Sequence, residues 1–551
     1  MNYKIQKLKL SNKETILNIL LILSAIWMLI GCFPLVCYES DSTNVIAGCE
    51  FMSTYFSLPP VLSYCWGIQP LTILSVFFFK KILFFLSCEQ IYCGATIILT
   101  FLCIYLISLI VNFFTKRNIK IIALSLILFF PESYSILSYP NSAIFAFFFF
   151  LLPLYMFLKD KNKLIIILLL GIAPLFRADI LMMYPILLLI AYIKKRKISK
   201  AVIITTIFAV TTISIYVISN LLLKANPLLK LSQKEDIASE VTKNILLKTT
   251  FEMSLTYFQI TTFILIILGI YSIIKRKKWF LLSLSVIPVL INYFVYFDHV
   301  LYCGKYFLYM LPFIIIIVVE GLYYIKEKKK YLLTLLCLLG IEFFIGTSFS
   351  TDSLPWFSTS YSILNNKPKG YNIASINLNN KISIPIGKLK NLKANISIGP
   401  GQVIGTADEL MLINGHFFSP FYYHLRKSII LKEREKALQY ILKNTDTNII
   451  VTAGYGARTM TLQLLLRNGF ILKKIYKSSW EFEYPAGYKN KLITVKDAPD
   501  GKGDPACIKK ISESEKTSFY LCTFYDWTSY YLQNSDINRE KITDRFYLIH
   551  K

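Results

Sequence analysis

Over roughly the first 350 residues, long apolar runs alternate with short loops rich in lysine and arginine. Runs of this length read as helices rather than strands. The pattern predicts helices near residues 15–37, 91–114, 119–137, 141–158, 163–176, 180–193, 201–222, 256–274, 279–296, 306–325 and 331–350. The stretch Pro70–Ser87 is also apolar, but Lys80 and Lys81 interrupt it. Such an interruption suits a helix lying on a membrane surface better than one crossing it. The segment 223–255 mixes polar and apolar positions, as in Leu231–Asp236, and reads as amphipathic surface helices.

Beyond about residue 350 the pattern changes to shorter, more polar elements. Alternation predicts strands at Lys381–Ile386 and Asn395–Ile398, and Asn448–Ala453 reads as a buried strand. A helix is predicted over Glu433–Asn444, with Ala437, Leu438, Ile441 and Leu442 on one face. A second, over Thr459–Asn468, is closed by Gly469 and followed by a strand from Phe470 to Ile475. This strand–helix–strand order predicts a small α/β domain. Gly454-Tyr455-Gly456 lacks the third glycine of a dinucleotide fingerprint and reads as turn geometry.

Composition sharpens the class. With 55% hydrophobic residues in 551 and a mean hydropathy of +0.52, the chain has more apolar surface than a soluble domain can bury. It is expected to be an α-helical polytopic membrane protein with about eleven crossings. A net charge of +27 is compatible with a nucleic-acid partner, but its distribution argues otherwise. Basic residues gather in the short loops 116–120, 159–163, 194–197, 275–278 and 326–330. That is the positive-inside pattern, which reports topology rather than a nucleic-acid partner. Lys4, Lys7, Lys9 and Lys13 precede the first run, with no small-residue cleavage site after it. The start reads as an uncleaved signal anchor with a cytoplasmic N-terminus. An odd number of crossings leaves the tail outside. The expected organisation is a transmembrane domain over 1–350 and an extracytoplasmic α/β domain over 351–551, in the plasma (inner) membrane.

Two acids, Glu39 and Asp41, directly follow the first run and would emerge at the outer face. A carboxylate held there is suited to chemistry on a lipid-borne substrate. A sugar on a polyprenyl phosphate already carries a good leaving group, so one base and a cationic phosphate cradle suffice. Glycoside hydrolysis instead needs two carboxylates. Arg177, in an otherwise apolar stretch, is a candidate phosphate ligand, with a local salt bridge to Asp179 as the plainer reading. Lys305 and His299, by the loop 297–304, are further candidates; a snorkelling Lys305 and an incidental His299 are the alternatives. Glu132 is either a second polar contact or a solvated helix end. Glu320 and Glu342, near run ends, read as structural acids reaching headgroups. Four histidines make a His-based metal cluster an unattractive reading, and the eleven cysteines include no CxxC. Cys49 with Cys65, and Cys507 with Cys522, are pairs that an oxidising compartment would allow to bond.

The order of motifs resembles the GT-C superfamily of integral membrane glycosyltransferases, which includes protein O-mannosyltransferases and bacterial aminoarabinose transferases. The segments that carry the resemblance are Tyr38–Ala47, Pro59-Pro60, Gln69–Thr72, Phe130-Pro131 with Ser138–Ser142, Gly171–Arg177 and Gly304–Pro312. They cover about 15–350. The chain departs from the pattern in Glu39-Ser40-Asp41, in Asn141 where relatives often carry an acid, and in Lys305 where they carry arginine. The resemblance implies inverting transfer from a polyprenyl-phosphate sugar to a lipid, glycan or protein acceptor. Asp41 is favoured as the base, with Glu39 as the other candidate. Lys305 and Arg177 would hold the donor phosphate, with His299 as a further ligand, and Glu132 and Asn141 would be secondary polar contacts. Glu39 would orient the acceptor or bind a divalent metal, as in some relatives; no cofactor is otherwise required. A membrane polysaccharide polymerase or ligase, a flippase or other transporter of lipid-linked glycans, and a receptor or scaffold are the competing readings. A polymerase or ligase would favour outer-loop Arg and His, in which the chain is poor, and a transporter would favour internal repeats.

Overall fold

The computed structural model describes residues 2–37, 40–55, 70–130, 141–195, 198–222, 260–296 and 308–327, five short strands between 358 and 404, and most of 420–550. The chain is mostly helical, with a sheet region toward its C-terminus. The helices are α1 (Asn2–Ile30), α2 (Ser40–Tyr55), α3 (Pro70–Ile82), α4 (Cys88–Thr115), α5 (Ile119–Phe129), α6 (Ala143–Leu158), α7 (Lys163–Phe176), α8 (Tyr184–Lys195), α9 (Ile198–Leu222), α10 (Ile260–Lys275), α11 (Trp279–Tyr296) and α12 (Leu311–Glu327). Two described helices, Cys88–Thr115 with 28 residues and Leu308–Glu327 with 20, are long and apolar enough to cross a membrane. The run expected at 331–350 and the loop 223–255 lie outside the described residues.

Several boundaries differ from the apolar pattern for local reasons. α1 stops at Ile30 rather than continuing to residue 37. α5 ends at Phe129, short of the expected 137. Phe130 is extended (φ −129°, ψ 94°), as the residue before Pro131 is biased to be. The expected helix at 180–193 begins as a 3-10 turn over Ala178–Met183 and becomes α-helical at Tyr184, where Pro185 needs no N–H partner.

Two of the basic loops, 116–120 and 275–278, converge on one carboxylate. Arg117, just after α4, makes a bidentate pair with Glu320 of α12, Nε at 3.1 Å and Nη2 at 3.0 Å. Arg276 and Lys278 reach the same carboxylate at 3.4 and 3.9 Å. Lys120 pairs with Glu14 of α1 at 3.7 Å. Glu320 is fully buried, so it ties three basic side chains together instead of reaching headgroups. Beside it, α10 and α12 cross at glycines. A Cβ on Gly269 would lie 2.0 Å from the Ile317 carbonyl oxygen, and one on Gly321 2.2 Å from that of Leu265.

The tail forms strands β1 (Ser358–Tyr361), β2 (Ala374–Ile376), β3 (Ile382–Leu389), β4 (Leu392–Ile398) and β5 (Gln402–Ile404), then helix α13 (Pro420–Lys443), β6 (Ile449–Ala453), α14 (Tyr455–Arg467), β7 (Ile471–Ile475), β8 (Ser479–Glu483), β9 (Leu492–Asp497), β10 (Phe519–Thr523), β11 (Arg539–Lys541) and β12 (Phe546–Ile549). The last seven strands make one sheet in the order β11-β12-β10-β6-β9-β8-β7, with β6 parallel to β9 and β10. The expected β6–α14–β7 order is present. α14 starts at Tyr455, earlier than expected, so Gly456 belongs to the helix rather than to a turn. Its end is a Schellman motif: Gly469 has φ +80°, Gly469 N–H donates to Leu466 O and Phe470 N–H to Leu465 O. Trp480, Phe482, Ile450, Leu465 and Tyr520 fill the core of this unit.

The glycine crossing gives a direct test. Gly269→Ala is expected to cost about 1–3 kcal/mol through forced separation of α10 and α12, read as a lowered thermal midpoint. Gly94→Ala, whose Cβ would meet nothing within 4 Å, is expected to hold or raise it.

Candidate functional site

The segment 30–55 carries the two acids, Glu39 and Asp41, that the sequence offered as candidate bases. The chain leaves α1 through a turn over residues 31–37, where Cys32 N–H donates to Leu29 O and Val36 N–H to Pro34 O, and is helical again from Ser40. Asp41 is therefore the second residue of α2, and its side chain lies outside the described residues. Glu39 lies outside the described residues.

Helix α2 has two buried faces. Val45, Ile46, Cys49 and Met52 join the helical core. Ala47 and Phe51, one turn apart, join the core of the tail instead. Thr43 and Tyr55 extend that stripe at the same four-residue spacing. Thr43 Oγ1 lies 2.7 Å from Thr459 Oγ1 on α14, and the Tyr55 hydroxyl accepts the Leu472 N–H at 2.5 Å. On its other flank α2 touches α3, where Ile73 Cδ1 leaves only 3.0 Å for a Cβ at Gly48.

Charge locks this sandwich. Ser87 and Gln90 form a capping box that starts α4 and sets Glu89 in its first turn. Glu89 is 1% exposed, and its carboxylate accepts three bonds from three parts of the chain. The Cys37 N–H reaches it at 2.7 Å, Arg434 Nη1 of α13 at 2.9 Å and Arg467 Nη1 of α14 at 2.9 Å. Arg434 also donates to the Cys37 carbonyl. Nearby, the buried Lys427 of α13 donates to the Cys32 carbonyl at 2.8 Å. Burial pulls the Lys427 ammonium below its ordinary range, opposed by Cys93, Cys32, Cys37 and Glu89. Burial likewise pushes the Glu50 carboxyl of α2 upward, against the pull of Arg467 and Lys80. The clamp at Glu89 and the basic cluster at Arg117 bracket α4, whose 28 residues span about 40 Å. The tail thus docks at the end opposite the basic loops.

Arg177 lies at this same tail end. It is 3% exposed, and its Nη1 donates to Ser142 Oγ at 3.3 Å. The carbonyl before it, on Phe176, accepts from Thr72 of α3 at 3.2 Å, so α3 bridges Arg177 to α2. Asn141 is 1% exposed; its Oδ1 accepts the Ala143 N–H at 2.9 Å at the start of α6, and its Nδ2 has no hydrogen-bond partner. The unmatched Asn141 amide at a helix N-terminus, beside the buried Arg177 guanidinium and its own partners, is a place where an anion would be favoured. The Asp179 side chain, Glu132, His299 and Lys305 lie outside the described residues. Among the described residues, no group of three His, Cys, Asp or Glu side chains is set to hold a metal ion. Cys49 is a free thiol hydrogen-bonded to Cys88 rather than paired with Cys65. Cys522 is buried in β10 beside the Ala457 carbonyl; Cys65 and Cys507 lie outside the described residues.

Sequence reasoning missed Glu89, Glu50, Lys427, Arg434 and Arg467. The local signal for Glu89 was its capping box, but its partners lie 345 and 378 positions away. No protein-family model matches the chain, and no curated protein does.

Glu89→Gln is expected to leave Arg434 buried without its counter-charge. Breaking such a pair costs about 3–5 kcal/mol, so limited proteolysis should release the tail at a lower temperature. Arg467→Met, whose side chain is 39% exposed, should cost at most about 1 kcal/mol in the same assay.

Proposed function

We propose that the chain is a GT-C-type glycosyltransferase, a polytopic membrane protein that moves a sugar from a polyprenyl phosphate to an acceptor at the outer face. The basic loops lie in the cytoplasm in this reading and the tail lies outside. Apolar side chains left exposed along α1 (Ile16, Ile19, Leu20, Ile22, Leu23, Ile26) and α9 (Ile203, Ile207, Val210, Ile213, Ile218) support a lipid-facing surface. The observation that carries the reading is the anion-receptive cluster of Arg177, Ser142 and Asn141 at the end of the bundle where α2 brings Asp41.

In the proposed mechanism the donor phosphate sits against Arg177 and the Asn141 amide, with Lys305 and His299 as the further ligands that the sequence offers. Asp41 takes the proton from the acceptor nucleophile as it attacks the anomeric carbon, and the lipid phosphate departs with the bonding pair. Glu39 is the alternative base or an acceptor-orienting group, and Glu132 a secondary polar contact. The step needs no cofactor; a divalent metal held by Glu39 is the variant that some members of the superfamily use. The tail, pressed against α2, forms one wall of the acceptor side, open to a lipid, glycan or protein.

A transporter is not the preferred reading. Among the described residues, the buried charges Glu89, Arg177 and Glu320 sit at the ends of the bundle rather than near its middle. Pumps and carriers concentrate such groups near the midplane.

The test is transfer of labelled sugar from a set of polyprenyl-phosphate donors in purified membranes. Asp41→Asn at equal expression is expected to lower the rate by about 100-fold or more. Arg177→Met is expected to raise the donor KM about 10- to 100-fold, the worth of a charge-assisted hydrogen bond. An unaffected Asp41→Asn would move the base to Glu39. A wild type that neither binds, hydrolyses nor transfers any donor would overturn the reading.

A further inference from the structure

The segment after α1 and the start of α4 face each other through thiols. Cys37 Sγ lies 3.4 Å from Cys93 Sγ, and both residues are buried. One turn away, Cys49 of α2 bonds to Cys88, the first residue of α4. The two pairs flank Glu89. Cys37 is also the residue whose N–H and carbonyl are both held by the clamp, four positions before Asp41.

We propose that Cys37 and Cys93 form a disulfide in the cell. This rests on the outward placement of the tail end given above, since disulfides persist in oxidising compartments. The sulfurs need to approach by about 1.4 Å to reach a bond of about 2.0 Å. Each thiol loses its hydrogen, one S–S bond forms, and two electrons and two protons pass to a disulfide-carrying oxidant, which leaves as a dithiol. The tail helix α13 covers the pair through Lys427 on Cys32 and Arg434 on Cys37. The exchange therefore precedes tail docking. Once formed, the bond fixes the backbone turn that Glu89 grips and so presets the acid-bearing start of α2.

The experiment is acid quenching of intact cells, alkylation of free thiols with N-ethylmaleimide under denaturing conditions, and peptide mass spectrometry of the full-length protein. The expected result is a linked Cys37–Cys93 peptide, lost in Cys37→Ser, where Cys93 becomes alkylated. Alkylation of both Cys37 and Cys93 in the wild type overturns the proposal, as does a Cys49–Cys88 link in its place. A membrane-impermeant amine label on tail lysines, read in the same cells, separates the two kinds of failure. Labelled tail lysines with free thiols overturn the disulfide alone; unlabelled tail lysines with free thiols overturn the outward placement as well.

Discussion

One short helix has to satisfy two cores at once. Along α2, the stripe Thr43, Ala47, Phe51 and Tyr55 belongs to the tail, while Val45, Ile46, Cys49 and Met52 belong to the helical bundle. Neither unit can be completed without the other surface of this helix. The Glu89 carboxylate makes the arrangement specific, because only one docking brings Cys37, Arg434 and Arg467 to the same two oxygens. A buried carboxylate with one partner missing is expensive, so misdocked states are disfavoured more than the native state is favoured.

The same constraint gives the candidate site its position. Asp41 lies in the first turn of α2, and α3 connects α2 to the Phe176–Arg177 bend through Ile73 and Thr72. Arg177 in turn faces the start of α6 at Ser142 and Asn141. Four elements, α2, α3, the Phe176–Arg177 bend and the start of α6, therefore share one end of the molecule. At the other end Glu320 collects Arg117, Arg276 and Lys278. The 28 residues of α4 hold the two charge clusters apart, which allows an apolar middle between them.

Much of the local structure was legible in the residues. Lys116, Lys159 and Lys275 end apolar helices where the pattern placed loops, and Gly469 closes α14 as a C-cap glycine does. Hydrophobic periodicity reports which residues are apolar together, and that sufficed for most helices. It did not report that α1 stops at Ile30, because the stop depends on how 31–37 packs against α4 and α13. Nor did it find the two-faced character of α2, since Thr43, Ala47, Phe51 and Tyr55 differ too much in polarity to read as a stripe. Arg177 was legible because a charge in an apolar run is conspicuous. Arg434 and Arg467 were not, because arginines on a polar helix look solvated until the fold brings them to Glu89, where Arg434 alone is buried. Asn141 carried a signal only through resemblance; its unmatched amide became visible with its burial.

The central claim is that the tail presses on the helix that carries Asp41. Thr43→Cys with Thr459→Cys tests it most directly, because the two hydroxyls stand 2.7 Å apart. The double variant is treated with a mild oxidant in membranes and analysed by peptide mass spectrometry beside the wild type and each single variant. The account predicts a linked 43–459 peptide in the double variant alone. Separate alkylation of both cysteines, in a protein whose thermal midpoint matches the wild type, would contradict it.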